Sequence, residues 1–386
     1  MILVEDSPRN TVAKWSSEAS DQGLIDGVIV SPFCTSTVTN GYKPTGEVLL
    51  QRLLDDGVAN LWFDAGTHAL QMPAAGDFRF YDTWDLWGGS RGNLNSTATQ
   101  REHIRRVFHV QSNLDVPLLC PTVLLDNPVS QASQRSLEMA RIGLDIAQER
   151  GAPVFLTIAG SSTFWSAADS LDAHVGALAQ LESDGWFLVQ ARYDASMPVP
   201  ATANEVFGLC RTARSLGEDA FVHVSHGDFA ALPAIAAGAD SIGTGWDTRQ
   251  RVCAYASYVE RPPAGDGGGW FKRPSHRGLF GFLHRQHAEL VATGDAALSR
   301  RLVPGVLPAD AAQESFEHHA ATLQALVDDL LSRGLRDRYE HLLREYNTAI
   351  DNWTDAANHA RFPSDQNSWI IPFRDGLALY GAEEGW

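Results

Sequence analysis

Short apolar runs alternate with single helical segments along most of the chain, and this alternation constrains the fold more than any other feature. The run at residues 27–31 is rich in β-branched residues and is followed by Pro32, as expected of a buried strand that ends in a loop. Repeated strand–helix–strand units predict a parallel sheet with helices packed against it. Further runs of this kind centre near residues 61, 120, 155, 188, 223 and 242.

Seven strands of this spacing fit a closed (β/α)8 barrel better than an open, doubly wound sheet. The phosphate-binding turn of an open sheet, GxGxxG, does not follow the first run, where Ser31-Pro32-Phe33-Cys34 stands instead. We expect the eighth strand within residues 73–112 or at residues 269–272. The predicted fold class is therefore α/β, a TIM-type (β/α)8 barrel.

The repeating pattern stops near residue 261, where a stretch rich in proline and glycine begins. Beyond it, apolar residues recur at helical spacing, as in residues 336–353. We predict a barrel over residues 1–261 with a loop insertion at 73–99, followed by a helical C-terminal extension over 262–386. The aromatic-rich C-terminal end is expected to be irregular.

The charge and composition of the chain limit its partners and its location. Lys and Arg number 30 against 47 Asp and Glu, a formal net charge of -17, which repels phosphate backbones and anionic lipids unless a basic patch is present. No segment has the roughly 18 uninterrupted apolar residues of a membrane helix, and the N-terminus lacks the pattern of a signal peptide. We expect a soluble, cytoplasmic protein, and the sequence leaves a homo-oligomer open.

The cysteines show no pairing that would indicate a disulfide framework or a zinc motif. They are widely separated, at Cys34, Cys120, Cys210 and Cys253. We expect no metal and no cofactor.

Carboxylates follow several of the predicted strands, at the rim where a barrel of this class carries its reactive groups. Asp64, Asp194, Asp228 and Asp247 each come directly after a strand or within a few residues of its end. A purely structural barrel does not need this concentration, although an acid in such a loop also caps the next helix, which is the favoured interpretation of Asp228. Asp64 and Asp247 are the catalytic candidates.

Two histidines near the end of the strand at 223 invite a metal interpretation. His223 and His226 are three residues apart, which places them on opposite faces of a strand, so they cannot share one ion unless the strand breaks between them. We expect His223 inside the barrel and His226 in the loop, where it could contact a substrate oxygen.

Glycines follow the last predicted strand. Gly243-Thr244-Gly245 resembles the turns whose backbone N–H groups hold a phosphate group in barrels. The same glycines are explained equally well if they let Trp246 turn into the mouth. Trp246 and Tyr193 could stack on a planar ring, and ordinary packing explains each of them equally well.

Basic residues are concentrated after that strand, in an otherwise acidic chain. They could line a track for a phosphate backbone along residues 249–285, or they could form a solvated face paired with neighbouring acids. They are Arg249, Arg251, Arg261, Lys272, Arg273, Arg277 and Arg285.

The order of these motifs resembles that of the tRNA-guanine transglycosylase superfamily, whose (β/α)8 barrels exchange a nucleobase at its N-glycosidic bond. Asp64-Ala-Gly-Thr-His68 is similar to the strand-end signature Asp, Ser, Gly, Gly, Phe, Gln of that family. Residues 187–192 are similar to its Gly-Ile-Val-Gln-Gly-Gly strand, and residues 223–227 stand in the place of its Met-Gly-Val-Gly turn. The order agrees over about residues 60–250.

The late part of the resemblance is Gly238-Ala-Asp-Ser-Ile followed by Asp247-Thr-Arg249, similar to a Gly-x-Asp strand followed by a nucleophilic Asp and a Thr-Arg pair. Two features depart from the family pattern. Gly243 stands where simple alignment places the nucleophile, so Asp247 would act from a shifted position, and the Cys/His zinc site after the barrel is absent.

The resemblance implies a transglycosylase-like reaction on a nucleobase or nucleoside, with tRNA or DNA lying along residues 249–285. Asp247 would attack C1′ and expel the base, and Asp64 would act as the acid/base, without a metal in that step. Gln190 and the Gly227 backbone would read the base edge. The predicted substrate-binding residues are Gln190, Arg192, Tyr193, Asp194, His226, Gly227, Trp246 and Arg249.

Two alternatives remain open from the sequence. One is a TIM-barrel enzyme that binds a phosphorylated ligand or FMN at residues 243–245. The other is a catalytically inactive barrel that acts as a binding or accessory subunit, an interpretation that Gly243 favours.

Overall fold

The structure is a computed structural model. It describes residues 1–5, 10–33, 35–39, 44–71, 79–89, 91–194, 196–197, 199–246, 250–258, 273–362 and 369–386.

Eight parallel strands form a nearly closed barrel, which confirms the predicted fold class. They follow one another around the barrel in chain order, and the first pairs with the last. Within the described residues no strand pairing joins the third strand to the fourth, so the barrel is open at that point. The eight strands are β1 (Ile2–Glu5), β2 (Gly27–Val30), β3 (Asn60–Phe63), β4 (Leu118–Cys120), β6 (Val154–Gly160), β7 (Gly185–Arg192), β8 (Phe221–Ser225) and β9 (Ser241–Thr244).

Four short strands complete the set. One pairs with β6, one pairs with β7 beyond its barrel neighbours, and the last two pair with each other in antiparallel fashion. They are β5 (Leu124–Leu125), β10 (Cys253–Ala254), β11 (Ser275–His276) and β12 (Gly281–Phe282).

The strand missing from the sequence count is β1, at the very start of the chain. Its residues are fully buried between β2 and β9. The expectation of an eighth strand within residues 73–112 is wrong, because the described part of that interval is helix and turn. Residues 269–272 lie outside the described residues, and the eight strands already account for the barrel.

Helices follow the strands and cover the outside of the barrel. Two of them, α3 and α6, are short and lie in loops. The helices of the barrel are α1 (Asn10–Asp21), α2 (Gly46–Asp55), α3 (Arg79–Thr83), α4 (Thr97–Asn113), α5 (Gln131–Arg150), α6 (Ser162–Trp165), α7 (Asp169–Ala179), α8 (Ala203–Leu216) and α9 (Leu232–Ala237).

Local sequence sets the ends of several helices. At the start of α5 the Ser130 hydroxyl accepts a hydrogen bond from the Ser133 N–H, and Gly151 ends the helix with φ 63°, in the left-handed region that glycine favours. Thr202 caps α8 in the same way, by accepting from the Glu205 N–H. Both helices therefore end close to where the periodicity predicts.

The predicted insertion at 73–99 is packed against the barrel where the structure describes it. Tyr81 is fully buried, and the Trp84 indole donates to the Thr35 carbonyl over 2.8 Å. The segment therefore forms part of the wall beside β2 and β3. Residues 73–78 and 90 lie outside the described residues.

The C-terminal helices pack against the barrel. Phe316 and Leu323 belong to the same apolar cluster as the outer faces of the strands, as do Phe373 and Tyr380. Residues 370–383 form a helix, so the expected irregular end is wrong. The helices are α10 (Arg285–Gly294), α11 (Ala296–Leu302), α12 (Ala312–Leu331), α13 (Leu335–Ala360) and α14 (Ile370–Glu383).

The predicted boundary between barrel and extension, at residues 261 and 262, lies outside the described residues. No helix in the described part of the chain combines the length and the apolar character needed to cross a membrane.

Candidate active site

Strand alternation carries two carboxylates into the barrel mouth. Leu3 of β1 and Trp62 of β3 belong to the apolar cluster inside the barrel. Because successive side chains of a strand face opposite sides, Glu5 and Asp64, each two residues further on, also face the interior at its upper end. The ends of β1 and β3 thus supply one carboxylate each to the same layer.

Glu5 is buried, with 2% of its surface exposed, and is held by the end of β8. Its Oε1 accepts hydrogen bonds from the Ser225 hydroxyl and from the His226 backbone N–H, each over 2.7 Å. Burial raises the pKa of Glu5, although His226 and the two hydrogen bonds act in the opposite direction. Glu5 therefore holds a proton more readily than an ordinary glutamate.

The His226 side chain lies beside Glu5 in an orientation fixed by the backbone. Its Nδ1 donates to the Gln250 carbonyl over 2.7 Å, because a carbonyl oxygen can only accept. Its Nε2 then faces Glu5 and lies 3.6 Å from Oε2. Glu5 and His226 are thus placed to exchange a proton with little movement.

Asp64 differs from Glu5 in exposure and in charge state. Its side chain is 17% exposed, and its Oδ1 accepts from the Gly66 N–H over 2.8 Å. Burial opposes ionisation, but His68, the Gly66 N–H and His226 together lower the pKa of Asp64. The negative charge of Asp64 in turn contributes to the raised pKa of Glu5, so the two carboxylates act on each other.

His68 is the second histidine of the mouth. Its Nδ1 shares a hydrogen bond of 2.8 Å with the Tyr255 hydroxyl, while its Nε2 lies 3.9 Å from Asp64 Oδ2. That Nε2 is buried and makes no hydrogen bond within the part of the chain that the structure describes. A buried polar atom beside an ionised carboxylate is a natural contact for a bound polar group.

The two carboxylates have complementary properties for acid–base chemistry. Glu5 is buried beside a histidine and has a raised pKa, whereas Asp64 is partly exposed and has a lowered pKa. A raised pKa favours donation of a proton, and a lowered pKa favours the ionised form that stabilises positive charge. We therefore regard Glu5 and Asp64, with the neighbouring His68, His226 and Tyr255, as the candidate site on the basis of their shared position and opposite pKa shifts, and refer to the five as the mouth cluster.

The position of Glu5 explains why residue 243 is a glycine. A Cβ at this position would overlap Glu5 Oε1 and lie 2.7 Å from the His226 backbone nitrogen. Glycine therefore leaves the room that the Glu5 carboxylate occupies.

The turn after β9 does not form an open anion cradle. Gly243 and Thr244 are buried, and the Gly245 carbonyl accepts from Arg251 over 2.8 Å. The Trp246 N–H donates to the Gln250 side chain over 2.9 Å. The phosphate or FMN interpretation of residues 243–245 therefore gains no support from this geometry.

Asp247 and Arg249, the predicted nucleophile and a predicted substrate contact, lie outside the residues that the structure describes. Their roles stay predictions. Gly227 is described: it is buried, and a Cβ there would overlap the Cβ of Ala231.

The predicted contacts on β7 lie on the outer side of the barrel wall or beyond it. Val189 and Ala191 belong to the interior cluster, so Gln190 and Arg192 face outward between them. Arg192 forms a buried ion pair with Glu205 of α8, and not with Asp194 as the sequence allowed.

The two residues after Arg192 remain accessible. Tyr193 is 65% exposed and Asp194 is exposed. Of the ring candidates, Tyr193 is thus the one that a ligand can reach from solvent.

Trp246 is only 3% exposed and packs between Trp15 and Phe316. Its indole donates to the Ser16 hydroxyl over 3.2 Å. Trp246 therefore packs between the barrel and the C-terminal helices, which is the packing interpretation that the sequence left open, and its role as a stacking platform stays a prediction.

Asp228 begins the short 3₁₀ helix Asp228–Ala231 and is almost fully buried. The N-cap position is Gly227 and no side chain caps this helix, so the expected capping role of Asp228 is wrong. Its Oδ1 accepts from the adjacent Phe229 N–H, and its Oδ2 accepts from the Thr244 hydroxyl and from His319 Nε2. Arg251 lies 3.7 Å away. Burial opposes ionisation, yet His319, Arg251 and Thr244 lower the pKa of Asp228 to about 2.

Several cations of the basic segment are engaged within the protein. Arg251 is buried, Arg277 lies 3.6 Å from Asp329, and Arg285 donates to the Pro308 carbonyl. Arg249, Arg261 and Lys272 lie outside the described residues. These contacts agree with the alternative of cations paired within the protein, and the phosphate-backbone track stays a prediction.

Sequence reasoning missed Glu5, which the structure places at the centre of the cluster. The sequence pattern that could have identified it is Ile-Leu-Val-Glu at residues 2–5, an apolar run followed by an acid. The run that ends at Asp64 has the same pattern. His223 lies inside the barrel and His226 follows the strand, as their spacing predicts. Among the described residues no group of three His, Cys, Asp or Glu side chains is placed to hold a metal ion.

No protein-family model and no curated protein sequence matches this chain. Among solved structures, L-ribulose 3-epimerase is similar at a TM-score of 0.36 and 12% sequence identity, over 86% of this chain and 98% of that chain. This similarity is too low to support an argument about fold or function, and the barrel described above rests on its own strand pairing.

Proposed function

We propose that this protein is an enzyme that cleaves or exchanges a nucleobase at an N-glycosidic bond, using Glu5 and Asp64. The observation that carries the proposal is the pair of carboxylates in one barrel mouth whose surroundings shift their pKa values in opposite directions. Cleavage of a glycosidic bond needs a protonated acid for the leaving group and an ionised carboxylate for the positively charged sugar.

Glu5 is assigned the role of general acid. Its raised pKa favours the protonated form, and the neighbouring His226 Nε2 can return a proton after each transfer. In the forward step the Glu5 proton moves to a ring nitrogen of the departing base. In an exchange reaction the same carboxylate takes the proton from the incoming base.

Asp64 is assigned the role of the ionised carboxylate. Its lowered pKa and partial exposure leave it charged and accessible at neutral pH. It stabilises the positive charge that develops at C1′ and forms the covalent glycosyl intermediate, which water or a second base then resolves. Relative to the resemblance, Asp64 changes from acid/base to nucleophile.

The relation between Gly243 and Glu5 supports an active enzyme over an inactive barrel. Gly243 stands where the resembled family has its nucleophile, which was the reason to consider a barrel without activity. The Glu5 carboxylate fills the space that a side chain at position 243 would enter. A carboxylate is therefore present at this place in the mouth, supplied by the neighbouring strand β1.

The charge of the protein favours a small nucleoside over a polynucleotide. The formal net charge is -17, and Arg251, Arg277 and Arg285 are engaged within the protein. Half-buried Phe33 packs beside Gly66, next to Asp64, and Tyr193 is exposed at the end of β7. These rings offer flat faces for a planar base.

The first test measures base release from purified protein. Ribonucleosides and deoxyribonucleosides are supplied alone, and RNA or DNA is supplied with labelled guanine or 7-deazaguanine. We expect turnover with nucleosides, and a loss of about 10²–10⁴-fold in both Glu5→Gln and Asp64→Asn. Asp351→Asn, an exposed carboxylate on α13, serves as the control with unchanged turnover. Full activity in both mouth variants, or no turnover by the folded wild type, would overturn the proposal.

A second test separates Asp64 from Asp247 as nucleophile. Quenching during turnover and mapping the sugar adduct by mass spectrometry should locate it on the peptide that contains Asp64. An adduct on the Asp247 peptide would restore the roles implied by the resemblance.

A further inference from the structure

The turn at residues 225–228 joins the mouth cluster to the outside of the barrel, and it is strained. His226 has φ 50° and Asp228 has φ 47°, and neither is a glycine. Positive φ is uncommon outside glycine, although His and Asp adopt it more readily than most residues, so two such residues in one turn point to contacts that hold them. Two of them in one four-residue turn indicate that the turn is held at both ends.

Inside the barrel the turn is held by Glu5 and by the loop after β9. The Ser225 hydroxyl and the His226 N–H both donate to Glu5 Oε1. The His226 ring donates to the Gln250 carbonyl. These are the contacts that place His226 beside the proposed general acid.

Outside the barrel the turn is held through Asp228. Its Oδ2 accepts from the Thr244 hydroxyl over 2.7 Å and from His319 Nε2 over 2.8 Å. His319 belongs to α12 in the C-terminal helical layer, 91 positions along the chain from Asp228. The left-handed conformation of Asp228 is therefore held in part by His319, a side chain from outside the barrel.

The hydrogen bonds fix the tautomer of His319. Its Nε2 must donate, because an ionised carboxylate can only accept. Its Nδ1 then accepts from the Ser275 hydroxyl over 2.7 Å. Burial and the nearby Arg251 lower the pKa of His319 to about 4, which agrees with a neutral ring using both nitrogens.

Ser275, His319 and Asp228 have the composition of a hydrolytic triad, but their geometry excludes that role. Each of the three is only 1% exposed. Ser275 and Asp228 bond to opposite nitrogens of the His319 ring, but with Ser275 on Nδ1 and Asp228 on Nε2, which is the reverse of the order in a triad. The three residues form a buried clamp, not a second active site.

We infer that His319 is a positioning residue for the mouth cluster, acting through Asp228 on the turn that holds His226 against Glu5. The inference rests on the proposed roles of Glu5 and His226. It assigns the C-terminal helical layer a part in the reaction, because α12 supplies the outer support of the turn. Without that support the turn relaxes toward ordinary backbone angles, and the His226 N–H withdraws from Glu5.

The test compares His319→Leu, which removes both ring nitrogens, with His319→Gln, whose amide can still donate toward Asp228. The readout is NMR: the titration of the Glu5 carboxyl carbon and the resonances of the His226 ring. Glu5 is also faced by Asp64 and by the His226 ring, so both are monitored in the same titration. We expect the Glu5 pKa to rise in His319→Leu, because a backbone hydrogen bond that lowers it is lost, and to return toward the wild-type value in His319→Gln.

The control is His174→Leu, which removes a buried histidine from α7. It should leave the Glu5 titration unchanged. An unchanged Glu5 titration in folded His319→Leu would overturn the inference. If that variant does not fold, Ser275→Ala is the deciding variant, because it removes only the hydroxyl that donates to His319 Nδ1. It should raise the Glu5 pKa by less than His319→Leu does. An unchanged Glu5 pKa in Ser275→Ala would equally overturn the inference.

Kinetics give a second readout if the protein turns over nucleosides. We expect kcat to fall about tenfold to a hundredfold in His319→Leu while KM changes little, as for a misplaced catalytic group. The NMR result does not depend on turnover. A shifted Glu5 titration without any nucleoside turnover would keep the structural link from His319 to Glu5 and remove the proposed function. Turnover with an unshifted Glu5 titration would keep the proposed function and overturn the inference.

Discussion

Two buried carboxylates hold the opposite ends of the turn at residues 225–228, and their pKa values move in opposite directions. Glu5 is 2% exposed and Asp228 is 1% exposed, so burial is nearly the same for both. Burial raises the pKa of Glu5, whereas the pKa of Asp228 is lowered to about 2 despite its burial. The opposite pKa shifts must therefore come from the charged and polar groups that surround each carboxylate.

The surroundings differ in charge compensation. Asp228 meets the guanidinium of Arg251, a ring N–H of His319 and the hydroxyl of Thr244. Glu5 accepts from the Ser225 hydroxyl and the His226 N–H, but its nearest cationic candidate is the His226 ring, whose Nε2 is 3.6 Å away, and the like charge of Asp64 opposes its ionisation. A compensated carboxylate stays ionised and anchors structure, while an under-compensated one is available for proton transfer.

Removing the compensated carboxylate should cause the largest effect on stability. Asp228→Ala removes the buried carboxylate that accepts from Thr244 and His319 and lies 3.7 Å from Arg251, so we expect a loss of about 3–5 kcal/mol in the free energy of unfolding. Unfolding in urea measures this loss. Asp351→Ala, at an exposed position, should change stability by no more than about 0.5 kcal/mol. A loss below about 1 kcal/mol for Asp228→Ala would contradict the assigned role of Asp228 as an anchor.

Acid should remove the contribution of Asp228 with a defined sign. Its folded pKa of about 2 lies below the ordinary 3.8, so the stability it adds is present above about pH 4 and is lost as the pH falls toward 2. This contribution is about 2 kcal/mol. The difference in unfolding free energy between wild type and Asp228→Asn should therefore shrink from pH 5 to pH 2. A constant difference over that range would show that Asp228 is not the group that titrates.

Filling the space beside the under-compensated carboxylate should have an intermediate effect. Gly243→Ala places a Cβ where Glu5 Oε1 lies, so we expect a loss of about 1–3 kcal/mol together with the proposed activity. Gly176→Ala is the matched control, because this exposed glycine of α7 has open space around an added Cβ. Helix propensity predicts a gain of about 0.5–1 kcal/mol there. Equal effects in the two variants would remove the proposed contact between Gly243 and Glu5.

Replacing Glu5 itself should affect stability least. The folded state holds the Glu5 proton more tightly than the unfolded chain does, so this group stabilises the fold most below the ordinary pKa of 4.5 and less as the pH rises. Glu5→Gln should therefore become more stable relative to wild type between pH 4 and pH 7, with a change at pH 7 of about 1 kcal/mol or less. A large destabilisation at pH 7 would place Glu5 with Asp228 as an anchor.

Much of the fold follows from local patterns that are visible in the sequence. The periodicity predicts α8 with the bounds that the structure shows, Ala203–Leu216, and strand β8 as Phe221–Ser225. Caps such as Thr202 act within a few residues, so short windows contain the required information. The N-terminal strand was missed because four residues carry little periodicity.

The direction of side chains at the strand ends was less predictable. Arg192 and Trp246 follow strands, yet Arg192 turns outward to Glu205 and Trp246 packs against Phe316. Asp64, by contrast, faces the mouth. A shift of one residue along a strand moves a side chain from the inside of the barrel to the outside. Knowing that a residue lies at a strand end does not tell which side it faces.

The sequence by itself determined the repeating strand–helix units and therefore the barrel, because hydrophobic periodicity and capping act over short distances along the chain. Only the tertiary structure decided which charged groups meet. Glu5 and His226 are 221 positions apart, and Asp228 and His319 are 91 apart, yet each pair is in contact. Electrostatic interactions depend on distance in space and on burial, and both arise only when the chain has closed on itself.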